Sequence, residues 1–158
     1  MTTRDELREI LSRASTIAVV GMSRDPYKAA YRVPACMVAA GFEVVPVNPF
    51  AEEIMGRRSY PSLLEVPGRI DIVEVFRPSA AALGVVQEAL LRHEQRGDVE
   101  LIWLQSGIFS AEGRALAAAA GVPYVEDRCM AVEVPRLFPG GQRPEACTAP
   151  DEEEDAAA

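Results

Sequence analysis

The residues best placed to do chemistry lie in the run from Thr16 to Lys28, Thr-Ile-Ala-Val-Val-Gly-Met-Ser-Arg-Asp-Pro-Tyr-Lys. Its apolar, β-branched first part ends at Gly21, and a short polar loop follows with the hydroxyl of Ser23 and the cation of Lys28. Glycine allows close approach to the backbone, and such a loop presents N–H groups to an anion. Arg32 could add bidentate pairing with a phosphate. We interpret the segment as a phosphate-binding loop, the alternative being a tight turn with solvated basic side chains.

Three further polar segments each follow an apolar stretch that is typical of a strand. They are Val47-Asn-Pro49, Phe76-Arg-Pro-Ser79 and Gln105-Ser-Gly-Ile108. In an open parallel sheet, ligands bind beyond the carboxyl ends of the strands, where the strand order reverses. We therefore expect these segments to converge with the loop after Gly21 on one site.

The sequence lacks the fingerprints of two common nucleotide sites. Gly-x-Gly-x-x-Gly is absent, and the second predicted strand ends in Asn48, where an NAD-binding sheet carries an acidic residue. The Gly-Lys-Ser/Thr signature of ATP-hydrolysing P-loops is absent as well. The first absence argues against NAD binding and the second against ATP hydrolysis. An NAD-binding, repressor-like domain stays open as an alternative.

Strands and helices alternate along the chain, which predicts an α/β domain with an open, mostly parallel sheet and helices on both faces. We predict strands at 16–21, 42–47, 70–76, 100–104 and 122–125, and helices at 3–14, 32–40, 78–96 and 110–121. Thr3 and Glu6 fit a capping box, and Pro34 is expected in the first turn of its helix. The inward face of the third helix is predicted to carry Leu83, Val86 and Leu90.

Composition sets the broad class of the protein. The 158 residues are 49% hydrophobic and 25% charged, as in a soluble globular domain. No apolar run approaches the roughly 18 residues of a membrane helix, and the N-terminus lacks signal-peptide features, so we expect a cytoplasmic protein without a membrane partner. The net charge of −8 is concentrated in the acidic cluster 151–155, and the body lacks the basic excess of a nucleic-acid binder. We predict a folded domain over 1–138 and a disordered acidic tail over 139–158.

No catalytic constellation or metal site is evident in the sequence. The single histidine, His93, lies in a helical pattern, and the cysteines do not have the spacing of a zinc site. Glu74 falls within a predicted buried strand, so we expect it to be a structural carboxylate with a partner. Cys129 is interpreted as a buried, inert thiol, with a redox role as the alternative.

Seven motifs in order resemble the small stand-alone CoA-binding proteins, which are similar to the N-terminal CoA-binding domain of the succinyl-CoA synthetase α subunit. The motifs are the run 17–28, Tyr31-Arg-Val-Pro34, Val45-Pro-Val-Asn-Pro49, Tyr60-Pro-Ser-Leu63, Asp71-Ile-Val-Glu-Val-Phe-Arg77, Ile102-Trp-Leu-Gln-Ser-Gly107 and Asp127-Arg-Cys-Met130. The resemblance covers about residues 5–138. It implies a Rossmann-like single domain that binds coenzyme A or an acyl-CoA across the strand ends.

The resemblance also implies roles for individual residues. Those under the phosphates would be Gly21, Met22 and Ser23, with Lys28 and Arg32 meeting the phosphate charge. Those beside the adenine, ribose and pyrophosphate would be Val47, Asn48, Phe76 and Arg77. The pantetheine path would be lined by Gln105, Ser106 and Gly107.

The synthetase reaction itself is not expected from this chain. The α subunit uses a phosphorylated histidine from a second domain, and His93 stands in a different context. The expected function is therefore CoA binding without catalysis by the isolated chain. Two alternatives stay open: a subunit of an acyl-CoA ligase or transferase, and a redox or regulatory module that uses Cys129. The sequence identifies neither an acyl group nor a protein partner.

Overall fold

Five parallel strands form the main sheet of the structure, a computed structural model that describes residues 2–139. The strands in chain order are β1 (Thr16–Val20), β2 (Glu43–Val47), β3 (Glu53–Ile54), β4 (Arg57–Arg58), β5 (Ile72–Val75), β6 (Leu101–Leu104) and β7 (Tyr124–Val125). The order in the sheet is β2-β1-β5-β6-β7, while β3 and β4 form a separate antiparallel hairpin. The predicted α/β fold is confirmed. Because the order reverses between β1 and β5, the switch point lies where these two strands end.

Helices cover both faces of the sheet. They are α1 (Arg4–Arg13), α2 (Ala29–Ala39), α3 (Ser79–Arg96), α4 (Ala111–Ala120) and α5 (Met130–Leu137), with a 3-10 turn at Leu63–Glu65. Side chains alternate between the faces of a strand, so Ile17 packs in the core under α1, α2 and α5, and Ala18 in the core under α3 and α4. Within residues 2–139 no helix is long and apolar enough to cross a bilayer.

Two helix starts follow from their sequence as predicted. The Thr3 hydroxyl accepts a hydrogen bond from the N–H of Glu6 at 3.2 Å, and the Glu6 carboxylate accepts one from the N–H of Thr3 at 2.7 Å. The Ser110 hydroxyl caps α4 by accepting the N–H of Gly113 at 3.0 Å. These bonds satisfy N–H groups that have no partner within the helix.

The predicted start of α2 is wrong. The helix begins at Ala29, so Pro34 lies inside it rather than in its first turn. Proline lacks an N–H, which leaves the carbonyl of Ala30 without its donor in the helix. The N–H of Ser23 donates to this carbonyl at 3.2 Å. The loop after β1 thus supplies the hydrogen bond that the proline removes, and α2 continues through it.

The inward face of α3 also differs from the prediction. Its fully buried residues are Ala82, Val86, Ala89 and Arg92. Leu83 and Leu90, expected to face inward, are only half-buried, although Leu90 still packs against the core on this side of the sheet. Alanines allow the helix to lie close to the sheet, and Arg92 can be buried because it pairs with Asp98 at 2.9 Å. A purely apolar pattern cannot identify such a charged core position.

Helix α5 was not predicted. Its buried residues Met130, Ala131, Val134 and Leu137 follow helical spacing, which was the available signal. Pro135 lies within the helix and obscures this pattern. The predicted acidic tail falls almost wholly on residues 140–158, which lie outside the described residues.

Candidate functional site

Gly21 follows β1 at the switch point and has a backbone φ of +86°, a conformation that favours glycine. Its N–H donates to the carbonyl of Val47 at 3.0 Å, which joins the ends of β1 and β2. A Cβ at this position would lie 3.1 Å from the carbonyl oxygen of Phe76 and 3.1 Å from Cδ of Arg77. The loops after β1 and β5 can therefore approach this closely only because residue 21 has no side chain.

A cavity of about 380 Å³ opens beside Gly21. Its volume lies within the range of about 300–1,000 Å³ typical of small-molecule sites. Five of the predicted site residues line it: Gly21, Val47, Asn48, Phe76 and Arg77. The other lining residues are Val20, Pro49, Phe50, Pro61, Ser62, Leu63, Pro78, Val85 and Glu88. The lining mixes apolar side chains with polar and charged ones, and the polar groups could orient a ligand.

Arg77 brings a positive charge to this cavity. Its side chain is exposed and forms no hydrogen bond or ion pair with any other residue of the described range. A guanidinium in this state can bind a phosphate through two parallel hydrogen bonds. Arg77 is therefore the cationic group through which the cavity can attract an anion.

The side chain of Asn48 holds two loops of the site together. Its Nδ2 donates to the carbonyl of Met22 at 3.0 Å, and its Oδ1 accepts the N–H of Phe50 at 2.8 Å. Both polar atoms of the amide are thus engaged in fixing the loops after β1 and β2. Asn48 lines the cavity as a positioning residue in this arrangement.

Beyond Gly21, the loop between β1 and α2 is fixed largely by its own hydrogen bonds and does not line the cavity. The Ser23 hydroxyl accepts the N–H of Asp25 at 3.0 Å, and the Asp25 carboxylate accepts the N–H of Tyr27 at 2.9 Å. Met22 has a fully buried side chain, so only its backbone could contact a ligand. Since the N–H of Ser23 is bound to the carbonyl of Ala30, its hydroxyl is the group that could turn to a phosphate.

The two predicted basic residues lie at the start of α2. Lys28 is the exposed N-cap residue, and its side chain does not cap the helix. Arg32 lies one turn further along α2 and is half-buried. Neither residue lines the cavity beside Gly21. The Lys28 ammonium stands at the positive end of the helix dipole, where an anion is favoured.

The loop after β6 packs beside β7 and α5 rather than on the cavity. Gln105 is buried, and its Oε1 accepts the N–H of Met130 at 3.4 Å. The N–H of Gly107 donates to the Asp127 carboxylate at 2.8 Å, and Ser106 is exposed. These residues lie at the same edge of the sheet, but the structure does not bring them into the cavity with Gly21.

Glu88 lines the cavity and was missed by the sequence analysis. It lies on α3 one turn after Val85, and its Oε1 accepts the N–H of Leu63 at 2.5 Å. A glutamate on a long helix is usually solvent-exposed, so its residue type gives no signal. The segment 61–63, at the start of a helical turn that the sequence favours over 62–65, also lines the cavity.

The expectation that Glu74 has a partner is wrong. Both carboxylate oxygens are buried and lack a hydrogen-bond partner among residues 2–139. Burial raises the pKa of this carboxyl to about 8. Glu74 shares its face of β5 with Ile72, which packs in the core under α1, α2 and α5. Its side chain therefore lies across the sheet from the cavity.

Two other sequence candidates lie away from the cavity. The His93 ring is half-buried, with Nδ1 2.7 Å from the carbonyl oxygen of Asp98 near the end of α3. Cys129 is a free cysteine at the N-cap of α5 and is half-buried rather than buried as expected; its inertness stays a prediction, with a redox role as the alternative. In the part of the chain that the structure describes, no three His, Cys, Asp or Glu side chains are grouped as metal ligands would be.

Comparison with known proteins gives consistent matches along the domain. A family model described as "CoA binding domain" matches residues 15–135. The uncharacterized protein YneT of Bacillus subtilis is 38% identical over 127 residues, which cover 80% of this chain and 90% of YneT. A solved structure of the Thermus thermophilus protein ID.343 superimposes with a TM-score of 0.79 at 41% identity, covering 86% of this chain and 99% of that one.

A second kind of relative is a much larger enzyme. An ADP-forming acetate–CoA ligase II of Archaeoglobus fulgidus is 31% identical over 110 residues. The match covers 68% of this chain but only 16% of the ligase. The similarity is therefore confined to a small part of that enzyme.

Proposed function

Because this chain belongs to the CoA binding domain family, we propose that it binds coenzyme A or an acyl-CoA at the carboxyl end of its sheet. The observation that carries the proposal is the cavity at the switch point beside Gly21, lined by Asn48, Phe76 and Arg77. Switch points are where open α/β sheets bind their ligands. An adenine-bearing pyrophosphate has the apolar and anionic parts that this cavity can accommodate.

The proposed arrangement places the adenosine part in the cavity and the phosphates at its mouth. The apolar side chains of the lining suit a purine ring, while Arg77 supplies positive charge at the rim and the exposed Lys28 supplies it at the start of α2. Gly21 allows the chain to approach the pyrophosphate closely. The pantetheine arm would leave past Gln105–Gly107 at the same edge.

We further propose that the isolated chain binds this ligand without transforming it. Catalysis on a thioester needs a nucleophile or a base within reach of the reacting carbonyl. The titratable groups that the structure describes around the cavity are Arg77 and Glu88, and Glu88 is engaged with the N–H of Leu63. An arginine and a glutamate that is held by a backbone N–H do not provide a nucleophile for acyl transfer.

Titration calorimetry with CoA at two salt concentrations tests the site. Arg77→Ala should weaken binding about fivefold, near 1 kcal/mol for an exposed charge, and should reduce the salt dependence because one cation is lost. Lys28→Ala and Arg32→Ala are expected to act in the same direction. Arg13→Ala is the matched control, since Arg13 is exposed and pairs with Glu100 at the opposite edge of the sheet.

Two results would count against this assignment. Absence of CoA binding by the unmodified protein would remove the proposed function. Equal affinity and equal salt dependence in Arg77→Ala and the Arg13→Ala control would remove Arg77 from the phosphate site.

The similarity to an ADP-forming acetate–CoA ligase supports a second candidate function. In that case the chain would present CoA to other subunits that carry the catalytic residues. CoA-dependent turnover should then appear only when ligase subunits are mixed with this chain. Turnover that is unchanged when this chain is left out of the mixture would dismiss the candidate.

A further inference from the structure

The cavity beside Gly21 differs in charge between its two ends. Arg77 follows β5 at the rim, directly before the start of α3. Glu88 lies further along α3, about 13 Å from Ser79 along the helix axis at 1.5 Å per residue. Since α3 runs back from the rim along the sheet, Glu88 lies farther from the strand ends than Arg77. A ligand with a charged end and a neutral end therefore has one favourable orientation.

One oxygen of the Glu88 carboxylate is free to bind a ligand. Oε1 accepts the N–H of Leu63 at 2.5 Å, which fixes the side chain against the 3-10 turn. Oε2 forms no hydrogen bond with the other residues in the described part of the chain. An ionised carboxylate only accepts hydrogen bonds. Its partner in the ligand must therefore be a hydrogen-bond donor without negative charge.

We infer that Glu88 is a specificity residue that accepts a hydrogen bond from the 6-amino group of the ligand's adenine ring. The inference rests on the proposed function and concerns the same site. In a nucleoside 3′-phosphate of the CoA type, the available donors are this amino group and the ribose 2′-hydroxyl. The 2′-hydroxyl adjoins the 3′-phosphate, which Glu88 would repel. The neutral base has no such conflict.

The cavity that Glu88 lines also has apolar surfaces. The proline rings of Pro49, Pro61 and Pro78 and the half-buried Phe76 are part of its lining. Such apolar surfaces suit a flat base, while the phosphates are drawn to Arg77 at the rim. Glu88 would thus distinguish an aminopurine from a purine without the amino group.

The test compares three ligands: adenosine 3′,5′-bisphosphate, its analogue with hydrogen in place of the 6-amino group, and its 2′-deoxy analogue. Calorimetry should give the unmodified protein about a tenfold preference for the first over the second. Glu88→Gln should reduce this preference below about twofold. Its amide oxygen can still accept the N–H of Leu63, while its NH2 group faces the base. Glu94→Gln, an exposed position on the same helix, should keep the full preference.

Each outcome decides the inference. Equal binding of the amino and hydrogen analogues by the unmodified protein overturns the role of Glu88 and leaves CoA binding intact. Retention of the preference in Glu88→Gln, or loss of a 2′-hydroxyl preference instead, also overturns it. Failure of the unmodified protein to bind CoA and the bisphosphate overturns both proposals. Circular dichroism verifies that Glu88→Gln is folded, and the comparison on the unmodified protein decides the matter if it is not.

Discussion

Gly21 has no side chain, and a Cβ added at this position would lie only 3.1 Å from the carbonyl oxygen of Phe76. The sequence predicted the close backbone approach at Gly21, because a β-branched strand that stops at a glycine has a local physical cause. Glu88 carries no comparable signal, since its place at the cavity depends on the N–H of Leu63, which is distant in sequence. Positions that follow from local backbone conformation can be predicted from sequence. Those placed by tertiary contacts cannot.

Glu74 leads to a prediction about pH. In the folded protein its pKa is raised by burial from 4.5 to about 8, so folding favours the protonated form. Its contribution to stability is fully present below about pH 4.5 and is lost as the pH rises towards 8, at up to about 1.4 kcal/mol per pH unit. Urea unfolding of the unmodified protein should show this decline, and Glu74→Gln should flatten it. An equal slope in Glu74→Gln and in the exposed control Glu65→Gln would contradict the assignment.

Among the predicted helices, α2 in its start and α3 in its inward face departed from the sequence prediction. In both cases a hydrogen bond from outside the helix decided the structure. Ser23 donates to the carbonyl that Pro34 leaves open, and Asp98 neutralises Arg92 within the core. Propensity and apolar periodicity describe a helix in isolation. They miss helices whose irregular residues are satisfied by neighbouring segments.

Arg92 ties α3 to the segment that forms one wall of the cavity. Its guanidinium pairs with Asp98 at 2.9 Å and donates to the carbonyls of Leu63, Val66 and Gly68. Arg92→Met should cost about 3–5 kcal/mol in urea unfolding, because Asp98 is left buried and unpaired, and should weaken CoA binding by loosening Leu63.

Arg96→Ala is the matched control for Arg92→Met. Arg96 also donates to the carbonyl of Val66, at 2.8 Å, but is exposed. Its loss should therefore cost only about 1 kcal/mol. Similar unfolding free energies for the two variants would show that burial of the Arg92–Asp98 pair does not govern this segment.

For the whole molecule, the sequence predicted the fold class but not the order of the strands. That order determines which loops meet. β1 lies between β2 and β5, so the loops after these three strands line one cavity, whereas β6 lies beyond β5 and its loop packs by α5. Four loops were predicted to converge on one site. Three of them line the cavity, and the loop after β6 does not. The family resemblance drawn from the motifs is confirmed by the match over residues 15–135.

Ligand binding should also stabilise the whole fold, because a ligand that binds only the folded state shifts the unfolding equilibrium. CoA at about 100 times its Kd should add about 2.7 kcal/mol, which raises the Tm of a domain this size by roughly 5–10 °C. Gly21→Ala should reduce this rise, since its Cβ would lie 3.1 Å from the carbonyl oxygen of Phe76 and the loops that line the cavity would have to move apart. Gly121→Ala is the matched control. At its φ of +72° an alanine has similar backbone strain, but its Cβ has no atom within 4 Å.

Both variants should lose about 1–2 kcal/mol of unfolding free energy without ligand, because alanine is strained in the left-handed backbone conformation. Only Gly121→Ala should regain this free energy when CoA is added. A full Tm rise in Gly21→Ala would show that the ligand binds away from the switch point.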